Sequence, residues 1–329
     1  MQNTTPDETL MRLASAGKLH SSEQVIQQAR RLLEGDAGER FVRDLANQWL
    51  DLHLIDFTQP DRKLYPGFDI IVQQAMLDET HWFLEHLLRN DLSVTQLIDA
   101  DFTFLNSRLA RYYDVTGDFD DAIGKASLAD DSHRGGLLTH GSIMKVTANG
   151  TTTSPVIRGV WVSERLLGQQ IPSPPENVPA IEPDVRGATT IRELLAKHNA
   201  DAACASCHRM IDPPGFALEN FDPSGRWRKT YATAKSKKKK ALPPIDAGFT
   251  MPDGREFSDL ESFKELVLAD PKSLARNLVE KLVAYGTGAT VGYADRRAVD
   301  RIVDQAEASD YGFRSLIEAT VSSDLFLSK

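Results

Sequence analysis

The chain is predicted to be mainly α, with a helical N-terminal domain over 1-125, a loop-rich middle domain over 126-235 and a helical C-terminal part over 236-329. Three observations predict this. Apolar residues recur at three-to-four spacing towards both ends of the chain, glycine and proline crowd its middle, and the two cysteines stand together in that middle stretch. A length of 329 residues with 41% hydrophobic and 26% charged side chains is that of an ordinary globular protein with core to spare, about two domains on length alone and one or three within range.

The elements follow from the pattern. Leu10, Leu13 and Ala14, then Val25, Ala29, Leu32 and Leu33, then Phe41, Leu45 and Trp49 mark amphipathic helices between Thr5 and about Leu54. Ser21-Ser22-Glu23-Gln24 offers an N-cap, and Gly35-Asp36-Ala37-Gly38 a break between two helices. After a loop from Pro60 to Gly67, Ile71, Ala75, Met76, Phe83, Leu84 and Leu87 predict a strong helix over Ile70 to Leu88. A fourth helix is expected after Ser93, and Phe102, Leu105, Leu109 and Tyr112 predict a helix from Phe102 to Tyr113. Arg134 to Gly141 and Thr147 to Pro155 read as loop with room for a short hairpin, and Val156 to Leu167 as a helix ended by Gly168. The prolines from Pro172 to Pro183 predict an extended connection, leading through a short helix, Thr190 to His198, to the cysteines. Lys235 to Lys240 form a basic run, read as a solvated loop or a docking patch for an acidic redox partner. Helices are expected again over Leu260 to Ala269, Pro271 to Tyr285, Arg296 to Glu307 and Phe313 to Val321.

Charge and hydropathy remove whole classes of function. A net charge of -9 argues against binding nucleic acid through a basic surface. No apolar run approaches the roughly 18 residues of a membrane span, and no export signal opens the chain.

Cys204-Ala205-Ser206-Cys207-His208 is a C-x-x-C-H, the spacing at which two thiols bond the vinyl groups of one haem while the next imidazole reaches the iron. A redox dithiol expects a βαβ setting, which a helical chain does not supply, and a structural zinc needs about four ligands where no second cysteine pair exists. The motif thus predicts one covalently attached haem c on Cys204 and Cys207, with iron bound by His208. Ile211 to Phe216, with Pro213 and Pro214, is expected to form a tight extended loop in which the Pro213 carbonyl accepts the His208 Nδ1 proton. Arg226, Trp227 and Arg228 are candidates to clamp the haem propionates, or alternatively to pair with Asp222 or Glu219. Met251, a methionine before a proline, is the candidate second iron ligand. His198, His140 or an open position are the alternatives, Met210 sits too close to His208 to reach the far face, and His81 and His86 read as core or surface histidines.

The strings Arg134 to Ser142, Thr153 to Val162, Cys204 to His208, Asp212 to Asp222 and Gly225 to Arg228 resemble planctomycete-type cytochrome-c-associated multidomain proteins, which carry consecutive domains of unknown function 1592, 1588 and 1585. Trp49-Leu50, Tyr65-Pro66, Glu79-Thr80 and Phe104-Leu105-Asn106 fit the first of these domains, and Lys281 to Phe326 the last. The resemblance implies a cytochrome-c-like, haem-binding middle domain, location in the periplasm or cell envelope, and electron transfer to a redox partner protein. Relatives often carry Leu where this chain has Met251, and they continue upstream with an export signal and often another cytochrome module, so upstream domains of the full-length protein are expected to be missing here. The alternatives are a haem enzyme of peroxidase or oxidase type, with an exchangeable sixth iron position and His140, Arg134 or Arg158 as polar distal groups, and an interaction scaffold.

Overall fold

The structure is a computed structural model that describes residues 5–129, 131–172, 190–198, 202–231 and 243–328. Most of the proline-rich connection, Pro174 to Pro183, and the lysine run Lys235 to Lys240 lie outside the described residues.

The described chain is mainly α. It opens with α1 (Glu8–Ser15), α2 (Ser22–Glu34), α3 (Asp36–Trp49) and α4 (Ile70–Asn90). Ser21 caps α2 through a reciprocal box, its Oγ accepting from the Gln24 amide while Gln24 Oε1 accepts from the Ser21 amide. The break at 35–38 works because Gly38 passes against the Leu33 carbonyl, where an added Cβ would lie 2.0 Å from the oxygen. Asp69 caps α4 by accepting from the amides of Ile71 and Val72.

Next come β1 (Phe102–Leu105), α5 (Ser107–Tyr113) and β2 (Gly124–Ser127), with β1 and β2 antiparallel and Phe102 opposite Ser127. Two expectations are corrected here. The helix expected after Ser93 is a single 3-10 turn over Val94–Leu97, and the first third of the helix expected from Phe102 is the strand β1. All four residues of β1 are buried, so its sequence lacks the alternation that marks a half-buried strand, and a run of apolar residues is ambiguous between helix and strand.

The middle of the chain holds α6 (Gly141–Val146), α7 (Pro155–Arg165), α8 (Ile191–His198) and α9 (Ala202–Ala217). A bridge between Ala148 and Thr153 makes the short hairpin expected before α7. The last part holds β3 (Phe249–Thr250), β4 (Glu256–Phe257), α10 (Leu260–Leu268), α11 (Pro271–Thr287), α12 (Arg296–Ala306), α13 (Phe313–Val321) and α14 (Asp324–Leu327), with its four longer helices where periodicity puts them.

One buried cluster draws on all three stretches. It joins Phe41 and Leu45 of α3, Phe83 and Leu87 of α4, Trp161 of α7, Phe263 of α10, Leu278 of α11, Val303 of α12 and Phe313 of α13. Each such side chain contributes about 1.5–3 kcal/mol on burial, so the stretches are held by a shared core. Polar contacts fix the register of the ends: Asp91, in the left-handed conformation that ends α4, accepts from the amide and hydroxyl of Ser315 in α13, and Arg30 grips Glu318 with two nitrogens.

Candidate functional site

Helices α7 and α9 are the frame of the site. They approach until backbone meets backbone: a Cβ on Gly159 would sit 1.9 Å from the Ile211 carbonyl oxygen, and one on Gly215 would sit 1.9 Å from that of Pro155. Only glycine fits at either crossing. Below the crossing, the guanidinium of Arg158, wholly buried, donates to the carbonyls of Leu218, Phe221 and Asp222 and faces Glu219 at 3.7 Å. Burial pushes its pKa down to about 10 against the pull of Glu219.

Helix α9 carries Cys204, Cys207 and His208 and then continues through Pro213 and Pro214. The extended loop expected after His208 is therefore corrected to helix. Proline in a helix frees the carbonyl four residues back, and the one freed by Pro214, that of Met210, lies 3.5 Å from the Ser163 hydroxyl of α7, which donates to it. The packed neighbour supplies a bond that the sequence alone denies.

Helical continuation also changes the partner of His208. Its Nδ1 lies 2.8 Å from Asp212 Oδ1, both side chains buried, with histidine and aspartate four residues apart on one face. A carboxylate only accepts, so the ring donates from Nδ1. The partner expected at the Pro213 carbonyl is corrected to the side chain one position earlier. Position 212 was within reach of sequence reading, four residues after His208, had the two prolines not argued for a loop.

Cys204 and Cys207 are half-buried free thiols. At about 100° per residue, Cys204 falls one turn before His208 on the same side of α9, and Cys207 about 100° round. Ala205, His208, Arg209 and Asp212 form one wall of a cleft of about 320 Å3, and Phe249, Thr250 and Met251 form the other. His208 and Met251, distant in sequence, thus share one space. Met251 sits where β3 turns towards β4, its amide donating to the Arg255 carbonyl and its own carbonyl accepting from Gly254. The hairpin is pinned by Arg192 of α8, which donates to the carbonyls of Asp246 and Gly248 and lies 4.3 Å and 5.0 Å from the ring centroids of Phe216 and Phe249. Arg192, Arg209 and Phe249 carry no local signal in sequence, because their roles arise from segments brought together by folding.

The other candidates sit elsewhere. Arg228 donates to the Glu219 carbonyl and to Thr153 and pairs with the Glu219 carboxylate at 3.3 Å. Trp227 stacks on His133 at 3.8 Å, and Arg226 is exposed beside Tyr112. None of the three lines the cleft beside His208. His140 is buried against Phe83 with Nδ1 3.0 Å from Thr80 Oγ1, and burial next to Arg134 drives its pKa down to about 3. Arg134 is buried, donating to the carbonyls of Thr139 and Gly225. His81 is buried, and His86 packs on Phe102 and Phe104. The side chain of His198 lies outside the described residues. Among the described residues, no three His, Cys, Asp or Glu side chains gather as a metal cluster, and no helix is long and apolar enough to cross a membrane.

A mainly helical chain with a helix-borne C-x-x-C-H whose histidine lines a cleft beside a hairpin, the two thiols standing outside that lining, defines the class. Comparison with known families then places it: residues 1–115 match a protein of unknown function (DUF1592), residues 134–231 one (DUF1588) and residues 253–326 one (DUF1585). The chain belongs to the multidomain family in which these domains follow one another in this order, the family its sequence strings resemble. No curated protein and no solved structure matches it.

Proposed function

We propose that the protein is a c-type cytochrome-like haem protein that transfers electrons in the bacterial cell envelope. One haem c would be held by thioethers to Cys204 and Cys207 and by His208 at the iron, with Met251 as the second iron ligand. When bound, the haem supplies a one-electron ferric/ferrous couple. The chain supplies the rest. Asp212 takes the Nδ1 proton of His208 in a hydrogen bond, which leaves Nε2 as the donor atom for the metal. Phe249 and Ala205 line the cleft with apolar surface against which a porphyrin face would pack. Arg209, exposed at the cleft, offers a positive edge to a redox partner protein or to a propionate.

The observation that carries the reading is the convergence of His208 and Met251 on one cleft, the former on the helix that bears both thiols. A volume of about 320 Å3 lies at the lower end of the roughly 300–1,000 Å3 typical of ligand pockets. The test is to express the chain with an export signal and the haem-attachment machinery, extract with acid acetone, and record spectra. Colour retained on the protein, lost in Cys204→Ala with Cys207→Ala, is the expected result. A near-infrared band lost in Met251→Ala identifies the methionine ligand. A colourless exported protein overturns the proposal.

A further inference from the structure

From the buried pair formed by His208 and Asp212, we infer that Asp212 is a positioning residue that sets the reduction potential of the iron bound by His208, holding it on the ferric side. The inference rests on the haem reading above and deepens it.

The pair differs from a histidine held by a backbone carbonyl in its charge. A hydrogen bond to an ionised acceptor is about twice as strong as one to a neutral acceptor. Here the two atoms are 2.8 Å apart, with side-chain exposures of 9% for His208 and 2% for Asp212, so little water screens them. A carboxylate drawing on Nδ1–H makes the other ring nitrogen a stronger donor, and a stronger donor favours the more positive metal.

The geometry is also fixed. Asp212 is one turn after His208, next to Ile211, whose carbonyl faces Gly159 across the α7 crossing, and three residues before Gly215, which makes the reciprocal crossing at Pro155. The backbone that carries the carboxylate cannot shift without parting the two helices. Among the described residues, the buried group of Glu79, Tyr113, Arg134 and His140 lies outside the cleft, and Asp212 is the carboxylate that both lines it and bonds His208.

The experiment is a spectroelectrochemical titration of the haem-loaded chain and of Asp212→Asn, Asp212→Ser and Asp212→Glu, with haem content measured on each. The neutral variants are expected to favour reduction about tenfold, an upward shift of about 59 mV for one electron, and Asp212→Glu to return towards the parent value. Loaded neutral variants with the parent potential overturn the inference while leaving the haem reading intact. Where neutral variants fail to accumulate, the ferrous parent protein is examined by proton NMR: an exchange-protected His208 Nδ1–H resonance is expected, and its absence overturns the inference. A parent chain that attaches no haem overturns both readings together.

Discussion

Gly159 of α7 faces Ile211 of α9 so closely that a Cβ at position 159 would lie 1.9 Å from the Ile211 carbonyl oxygen. That oxygen is backbone, in the helix that carries the C-x-x-C-H motif, so it has no rotamer by which to withdraw. Gly159→Ala is therefore expected to push the helices apart and cost about 3 kcal/mol, at the high end for overpacking. Urea unfolding measures the loss. A cost under about 0.5 kcal/mol, the size of a surface substitution, would show that the helices are not in contact there.

Arg158 is the second clamp on the same crossing. It satisfies three carbonyls just beyond the C-terminal end of α9, and it faces the fully buried Glu219. Arg158→Met is expected to destabilise by about 3–5 kcal/mol, because it leaves buried carbonyls without donors and takes one of two guanidinium partners from the buried Glu219, which keeps Arg228 and the Thr153 hydroxyl. Combining Arg158→Met with Glu219→Gln should cost less than the sum of the two single changes, since the buried charge is then removed together with its partner. A double-mutant cycle by chemical denaturation reads that coupling.

How much of this was legible depended on whether the signal was local. The helices of both ends were readable because their apolar stripes repeat over three or more turns, and the start of α2 because Ser21 and Gln24 cap each other within four residues. The strand β1 was not, since burial on both faces erases its alternation. In the site, the C-x-x-C-H string is legible from five residues, and the structure sets it on α9. The Asp212 partner was hidden by Pro213 and Pro214, which break an isolated helix and are tolerated here where Ser163 bonds the Met210 carbonyl and α7 packs alongside. The wall opposite His208 was half-read: Met251 from its neighbour Pro252, Phe249 and Arg192 not at all, because only the fold brings α8, α9 and the hairpin together.

His140 makes acid stability a test of the interface between the N-terminal and middle segments. In the unfolded chain its imidazole takes up a proton near 6.5, whereas in the fold burial and Arg134 delay that uptake to about 3. The unfolded state thus binds more protons across that window, and stability falls as pH drops from about 6.5 towards 3, by up to about 5 kcal/mol from this group. Glu79 acts in the opposite sense. Burial raises its pKa from 4.5 to about 6, so the folded state takes up its proton first and gains about 2 kcal/mol as pH falls between those values. The net acid loss should be shallower in His140→Gln, which cannot titrate. Unfolding free energies at pH 7, 6 and 5 for parent and variant check it, and parallel pH profiles would refute the burial of His140.

Arg192 should control how well Met251 is presented to His208. Its guanidinium lies over Phe216 of α9 and Phe249 of β3, donates to the carbonyls of Asp246 and Gly248, and pairs with the Asp246 carboxylate at 3.2 Å. The guanidinium thereby ties the hairpin to the helix that carries His208. The side chain is about one-third exposed, so the ion pair adds little by itself; the stacked faces and the two carbonyl bonds hold the contact. Arg192→Ala is expected to cost about 1–2 kcal/mol locally, seen as faster exchange of the Met251 amide, which donates to the Arg255 carbonyl across the turn, with the exchange of α11 unchanged. Arg192→Lys keeps the charge but loses the planar fork and should recover only part of the protection. Unaltered exchange at the hairpin in Arg192→Ala would mean that β3 and β4 hold their place without α8.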